Sequence, residues 1–412
     1  MVKRIAFING TLITPFREIS KGFIIIKDNL IEKIGQMGQL EGTTFPENTH
    51  IIDVNGLYVS PGFIDSHLHG AFGGSAMSAT EKDLQIMAQG LVQCGTTSFL
   101  PSTLSAPWDK VTGAVDCISG VMKRDLQGAR ILGIHLEGPY INLEQKGAQN
   151  PEYIYSPAPE QYLPLLNNYP EIIRVTSAPE IPGGMELAQE LRRRKIVAAI
   201  GHSSATYQQV LQAIENGYSH VTHMFSSMSS IKRINGYRIS GVIESTLLLD
   251  ELTTELIADG HHLPPSLMKL ALHCKGMDKV CLVTDSMAAA GLGPGKYELG
   301  GLEVIVESDI PQEFEILTQE NNYVAKLIDH SSFASSVSTM DKLIKNMIRH
   351  CELSIREAVQ LVTYNAAKIQ HLEDEIGILA ENKRADIAVF DNNLDIKITV
   401  VNGSILYMDF IY

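Results

Sequence analysis

Two imidazoles stand two residues apart in His67-Leu68-His69, at the end of an apolar run. In an extended strand both rings then point to one face. Other donors end later apolar runs: Glu137 in His135-Leu136-Glu137-Gly138-Pro139, His202 after Gly201, His223 after Thr222, His261-His262 after Asp259-Gly260, and Asp285 after Thr284. Imidazole nitrogens with carboxylate oxygens make a ligand set for zinc, or for iron or manganese, with a position left open to water. Singly, each residue has a plain structural explanation. An H-x-H pair can be two satisfied or exposed histidines, a Glu before Gly-Pro can serve a turn, and a strand-end Asp can cap the next helix. Packing does not require all six of His67, His69, Glu137, His202, His223 and Asp285 to close strands. Together they read as a divalent-metal centre.

Such donors converge only if the runs that carry them lie side by side. Apolar runs at 59–65, 96–101, 131–137, 172–178, 196–202, 220–225, 253–259 and 280–285 alternate with helical stretches, the βαβ pattern of a parallel sheet. Eight such runs predict an α/β fold, a (β/α)8 TIM barrel, whose functional side chains sit at the C-terminal strand ends. Thr80-Glu81-Lys82-Asp83 predicts the N-cap of a helix that stops near Cys94-Gly95. The two ends of the chain read differently, as short strands with turn pairs at Asn9-Gly10, Asp28-Asn29 and Asn402-Gly403. Neither end is large enough to bury a core. Residues 1–58 and 375–412 therefore predict one composite β-sandwich domain, and 59–374 the catalytic barrel. A strand near 300–306 and the acidic stretch up to 330 break the alternation and read as an excursion outside the barrel.

The chain has 412 residues, of which 44% are hydrophobic and 19% charged, a balance that excludes disorder and fibrous architecture. Its 33 Lys+Arg against 47 Asp+Glu give a net charge of −14, which disfavours nucleic acid and acidic membrane surfaces as partners. Cys94, Cys117, Cys274, Cys281 and Cys351 are odd in number and scattered without a C-x-x-C pair, as expected in a reducing cytosol. No apolar run reaches the length of a membrane span, and the N-terminal one breaks at Asn9-Gly10, too early for a signal peptide. The expectation is a cytoplasmic protein with a small-molecule substrate.

The ordered segments Pro61-Gly62-Phe63-Ile64-Asp65-Ser66-His67-Leu68-His69-Gly70, His135-Leu136-Glu137-Gly138-Pro139-Tyr140, Gly201-His202-Ser203, Thr222-His223-Met224-Phe225, Ala258-Asp259-Gly260-His261-His262 and Leu282-Val283-Thr284-Asp285 resemble the amidohydrolase superfamily. Within it, His-Leu-Glu-Gly-Pro followed by Lys146-Gly147-Ala148 resembles the N-acetylglucosamine-6-phosphate deacetylase family. The resemblance implies a distorted barrel, a homodimer, and metal-dependent hydrolysis of the N-acetyl group of an amino sugar phosphate or a close analogue. It implies Glu137, His202 and His223 as ligands of a principal metal, with His67 and His69 beside it for a second and Asp285 among the metal residues, so one or two ions, zinc foremost. It further implies Asp285 as the general base and acid, and His262 as the donor to the amide oxygen.

Where the family contacts substrate, this chain departs from its pattern. Ser226-Ser227-Met228 stands for an Asn-Ala-Met stretch, Gln149 for a His, and Phe333-Ala334-Ser335-Ser336 for a Leu-Ala-Gly-Ser segment. Gln149, Ser226, Ser227, His262 and Ala334 are the expected substrate contacts, and Arg233 or Arg238, with Lys232 beside them, the expected anion contact. Two other readings compete with a sugar-phosphate deacetylase. A related amidohydrolase acting on another N-acetyl amine, or a cyclic-amide or deaminating enzyme, is one; those of the latter kind that act with a paired metal often use a carbamylated Lys where Glu137 stands. A non-catalytic metal-binding sensor or interaction protein is the other, disfavoured because no ligand and no Asp285 is lost.

Overall fold

The computed structural model describes residues 4–40, 45–46, 48–124, 126–308 and 323–409. Eight strands, Phe63–Leu68, Thr96–Pro101, Ile134–Glu137, Ile172–Ser177, Val197–Ile200, Tyr218–Val221, Thr253–Leu256 and Val280–Leu282, fall within or beside the eight predicted runs. The third to the eighth form one parallel ladder, and the first two form another. Single parallel bridges join the pieces, Ser102 to His135 and Leu68 to Ser286, so the barrel closes on itself through two thin seams. It is a distorted (β/α)8 barrel.

Local chemistry explains its helices. Thr80 caps Glu81–Leu91 by accepting from the Asp83 backbone N–H, and Gly95 ends the following turn at φ 76°. Thr206 with Gln209, and Ser354 with Glu357, form capping boxes on Tyr207–Asn216 and Ile355–Val362. The apolar faces of these helices pack on strand residues such as Phe99, Val175, Ile200 and Leu282 in one continuous core.

The ends of the chain meet in one eight-stranded sheet. Arg4–Ile13 pairs with Glu18–Lys27, Thr49–Asp53 and Tyr58–Pro61, and Tyr58–Pro61 pairs in turn with Ile387–Phe390. Side chains alternate between faces with period two: Ile24 and Ile26 join one cluster, Phe23 and Ile25 another. Asn402-Gly403 makes the expected tight hairpin, both residues at positive φ. Asn9-Gly10 does not turn. The strand runs straight through it with a shift of register, Asn9 supplying a positive φ for a bulge instead. A Cβ on Gly10 would lie 2.9 Å from the side chains of Val54 and Val59, so close approach, not reversal, is what this glycine serves. The reversal comes later, where the Thr14 hydroxyl bonds the Arg17 backbone.

The stretch after the eighth strand is an antiparallel sheet of Gly295–Leu299, Leu302–Glu307 and Val324–Leu327. Leu299, Val304 and Leu327 pack with Leu104 and Ala334, fixing this sheet beside the barrel mouth. Most of the predicted acidic excursion, 309–322, lies outside the described residues. Among the described residues, no helix is long and apolar enough to cross a membrane.

Candidate functional site

The carboxyl ends of the strands open into a cavity of about 240 Å³, lined by His69, Glu137, His202, His223, His262 and Asp285 among others. Beneath it lies His67, fully buried. Two groups of donors converge there. Glu137, His202 and His223 form one, and His67, His69 and Asp285 the other; within each, the ligand atoms lie within 4.8 Å of one another. Glu137 stands between them. Its Oε1 is 3.2 Å from Nε2 of both His202 and His223, while its Oε2 is 3.1 Å from His67 Nε2 and 3.0 Å from His69 Nε2. Asp285 Oδ1 lies 3.2 Å from His69 Nε2 and 3.5 Å from His67 Nε2.

The backbone is bent to make this possible. His202, His223 and Asp285 have φ of 48°, 29° and 45°, a region that costs a non-glycine residue on the order of 1–3 kcal/mol. Main-chain bonds on both sides hold Asp285: its N–H donates to His67 O at 2.8 Å and its carbonyl accepts from Ser336 N–H at 2.8 Å. The far nitrogens of three of the four rings are also committed. His202 Nδ1 meets Gln145 O at 2.7 Å, His69 Nδ1 meets Ser102 O at 3.2 Å, and His67 Nδ1 meets Glu255 Oε1 at 2.7 Å. The Nε2 of each of these three is thereby turned toward the centre.

These residues fit a metal. His202 Nε2 and His223 Nε2 face each other at 3.2 Å, which requires a proton or a cation between them. Asp285 Oδ1 is buried and forms no aligned hydrogen bond. Electrostatics say the same. Burial resists charge on His67 and His69, yet the carboxylates of Glu137 and Asp285 outweigh it, holding His67 well above its usual range and His69 at about 9. Burial likewise pushes Glu137 and Asp285 up, but the neighbouring imidazoles overcome it and keep both below the usual carboxylate range. The cluster thus attracts positive charge at neutral pH, as protons or as a divalent ion.

His262 stands apart from the ligands. Its Nδ1 is 2.8 Å from Asp259 Oδ2, and its backbone N–H donates to Asp259 Oδ1. Burial lowers its pKa, but Asp259 more than compensates and the net shift is upward, so the ring is suited to donate from Nε2. The role of Asp259 was legible only as part of its motif. Two buried charges escaped sequence reading altogether, Arg174 and Glu255, although a charge within apolar barrel strands is the signal that marks them. His135, also fully buried, touches Ser102 and Thr176 and packs edge-on against His67, 4.6 Å between ring centres.

The expected substrate contacts divide. Gln149, Ser226 and Ser227 line the cavity, and Gln149 Oε1 accepts from Ser105 N–H at 2.6 Å. Ala334 does not: it is buried in the adjoining core, its N–H spent on Ala325 O, and Phe333 and Ser335 face the cavity in its place. The segment is irregular there, joined to its neighbours only by single bridges at Phe333 and Ser336, and Ser335 takes a positive φ of 63°. Arg233 and Arg238 sit on an exposed hairpin, Lys232–Ile234 with Tyr237–Ile239, and are not among the residues lining the cavity. Among the described residues, those lining the cavity include no Lys or Arg; Leu104, Ile257, Leu299 and Phe333 form an apolar wall.

Comparison with known proteins agrees with this geometry. The model of the amidohydrolase family matches residues 58–406. An N-acetylglucosamine-6-phosphate deacetylase of Lysinibacillus sphaericus is 31% identical over 376 residues, 90% of this chain and 92% of that protein. One from Bacillus subtilis is 31% identical over 96% of each chain. The crystal structure of N-acetylglucosamine-6-phosphate deacetylase from Pasteurella multocida superposes with a TM-score of 0.87 at 29% identity, covering 98% of this chain and 99% of that one.

Proposed function

Because this chain belongs to the amidohydrolase family, and within it to the N-acetylglucosamine-6-phosphate deacetylases, we propose that it hydrolyses N-acetylglucosamine-6-phosphate to glucosamine-6-phosphate and acetate. The observation that carries the reading is the pair of donor groups bridged by Glu137, with Asp285 and His262 at the same cavity. Glu137, His202 and His223 would hold a principal divalent ion, and His67, His69 and Asp285 a second, zinc being the best match to imidazole and carboxylate donors. Such an ion supplies a Lewis acid that draws the pKa of water down toward neutrality.

The chain's own groups divide the remaining work. Asp285, ionised at neutral pH, takes the proton from the attacking water and returns it to the departing amine. His262, oriented by Asp259, donates a hydrogen bond to the amide oxygen as negative charge develops on it. Ser226, Ser227 and Gln149 offer hydroxyl and amide groups to the sugar. Lys232, Arg233 or Arg238 would meet the phosphate. In this reading residues 59–374 form the catalytic barrel, 1–58 and 375–412 the small β-domain, and the enzyme is a cytoplasmic homodimer. A panel of N-acetyl hexosamines with and without 6-phosphate tests it by acetate release. Turnover of the 6-phosphate sugar above all others is expected; reaction of unphosphorylated or non-sugar amides alone would contradict it.

A further inference from the structure

The two ligand groups are supported in different ways from behind. Among the described residues, the far nitrogen of His69 meets a main-chain carbonyl, that of His202 another, and that of His223 forms no hydrogen bond. His67 alone is backed by a carboxylate, Glu255 Oε1 at 2.7 Å from its Nδ1. Glu255 is fully buried on the seventh barrel strand, and so is Arg174 on the fourth. Arg174 Nη1 donates to Glu255 Oε2 at 2.6 Å and its Nη2 to Thr222 Oγ1 at 3.0 Å. His220 Nε2 approaches the same Oε2 at 3.4 Å. Glu255 Oε1 also accepts the N–H of His223 at 3.1 Å. A carboxylate, an arginine and two histidines thus fill the barrel directly beneath the cavity, touching no solvent and no space a substrate could enter.

Two buried charges at this depth are costly to desolvate, and a hydrophobic pair would fill the volume with less penalty. Their contact with His67 gives them a purpose. A carboxylate on the far nitrogen of a ligating histidine fixes its tautomer and raises its basicity, and loss of such a partner commonly weakens metal binding about 10- to 100-fold. Here the partner serves only one of the two donor groups through a side chain. We infer that Glu255 is a positioning residue for His67, held in place by Arg174, and that it sets how tightly the His67, His69 and Asp285 group takes its ion.

This inference rests on the metal reading above, and metal uptake separates the two. Cobalt(II) is titrated into the metal-free chain and followed by its visible absorption, with ions per chain counted by elemental analysis. The unaltered chain is expected to take up two ions per chain. Glu255→Gln should keep the first with little change and bind the second about 10- to 100-fold more weakly. Because this variant leaves Arg174 buried without its charged partner, Glu255→Gln with Arg174→Met is measured alongside, and should lose the second ion in the same way. A merely structural role would lower the melting temperature while leaving the two affinities in their original ratio. Equal affinities in variant and parent, or a parent that takes up a single ion, overturn the inference. A parent that takes up no ion contradicts the metal reading itself.

Discussion

At the floor of the cavity Glu137, His67 and Asp285 are buried, and each is held from more than one side by rings, carboxylates or main-chain bonds. At its rim Gly147, Ser226 and Ser227 sit in loops and Phe333 leans on His262 with ring centres 5.0 Å apart, while Arg233 and Arg238 ride on an exposed hairpin outside the lining. A catalytic constellation tolerates errors of only about half an ångström, which strands of a closed barrel supply. A rim is free to vary because loops exchange side chains without disturbing the ladder. The difference explains why this chain keeps every expected ligand while several substrate-facing positions depart from the family pattern.

The comparison is most easily broken at the floor. Asp285→Asn keeps the shape of the side chain and removes the base, so kcat should fall by about 10³-fold or more, while an ion held by Glu137, His202 and His223 remains. Normal turnover with metal retained would remove Asp285 from the mechanism. His262→Asn should cost about 10²- to 10³-fold in kcat with KM nearly unchanged, since its donor acts on charge that develops in the transition state. A loss confined to KM would instead assign it to ground-state binding.

A third expectation concerns pH and needs no substitution. His69 titrates near 6.5 when unfolded and at about 9 in the metal-free fold. The stability this contributes is complete below pH 6.5 and is lost as pH rises through 9; His67 acts in the same direction. Calorimetry of the metal-free chain should therefore give a lower melting temperature at pH 9 than at pH 6.5. Over the same range metal affinity should rise, because fewer protons must be displaced from the two rings. An affinity that falls with pH would mean that these imidazoles are not ligands.

At the rim effects should be small. Ser227→Ala removes one neutral hydrogen-bonding group from the cavity wall, so KM should rise roughly two- to tenfold with kcat nearly kept. A loss of kcat as large as that of Asp285→Asn would erase the distinction between floor and rim.

The same distinction governs what could be read from residues alone. His67, His69, Glu137, His202, His223 and Asp285 were legible because polar donors at the ends of apolar strands have few structural reasons to be there. The barrel was legible from alternation, and Asp28-Asn29 and Asn402-Gly403 as turns because their neighbours pair across them. Asn9-Gly10 was misread because the positive φ it supplies serves a bulge as well as a turn. Ala334, expected as a substrate contact, packs in the adjoining core, since an alignment of motifs carries no information about which neighbour points inward. Arg174 and Glu255 were missed for a different reason: their partners lie on other strands, and no local spacing pairs them.

The central claim is metal-dependent deacetylation, and it is met most directly by counting products. Acetate and free amine are measured together from N-acetylglucosamine-6-phosphate with the protein as purified, after complete chelation, and after a divalent ion is restored. The account predicts equal amounts of both products, their loss on chelation and their return with zinc, manganese or iron. Turnover that survives removal of every ion, or a metal-loaded chain that releases no acetate, would contradict it.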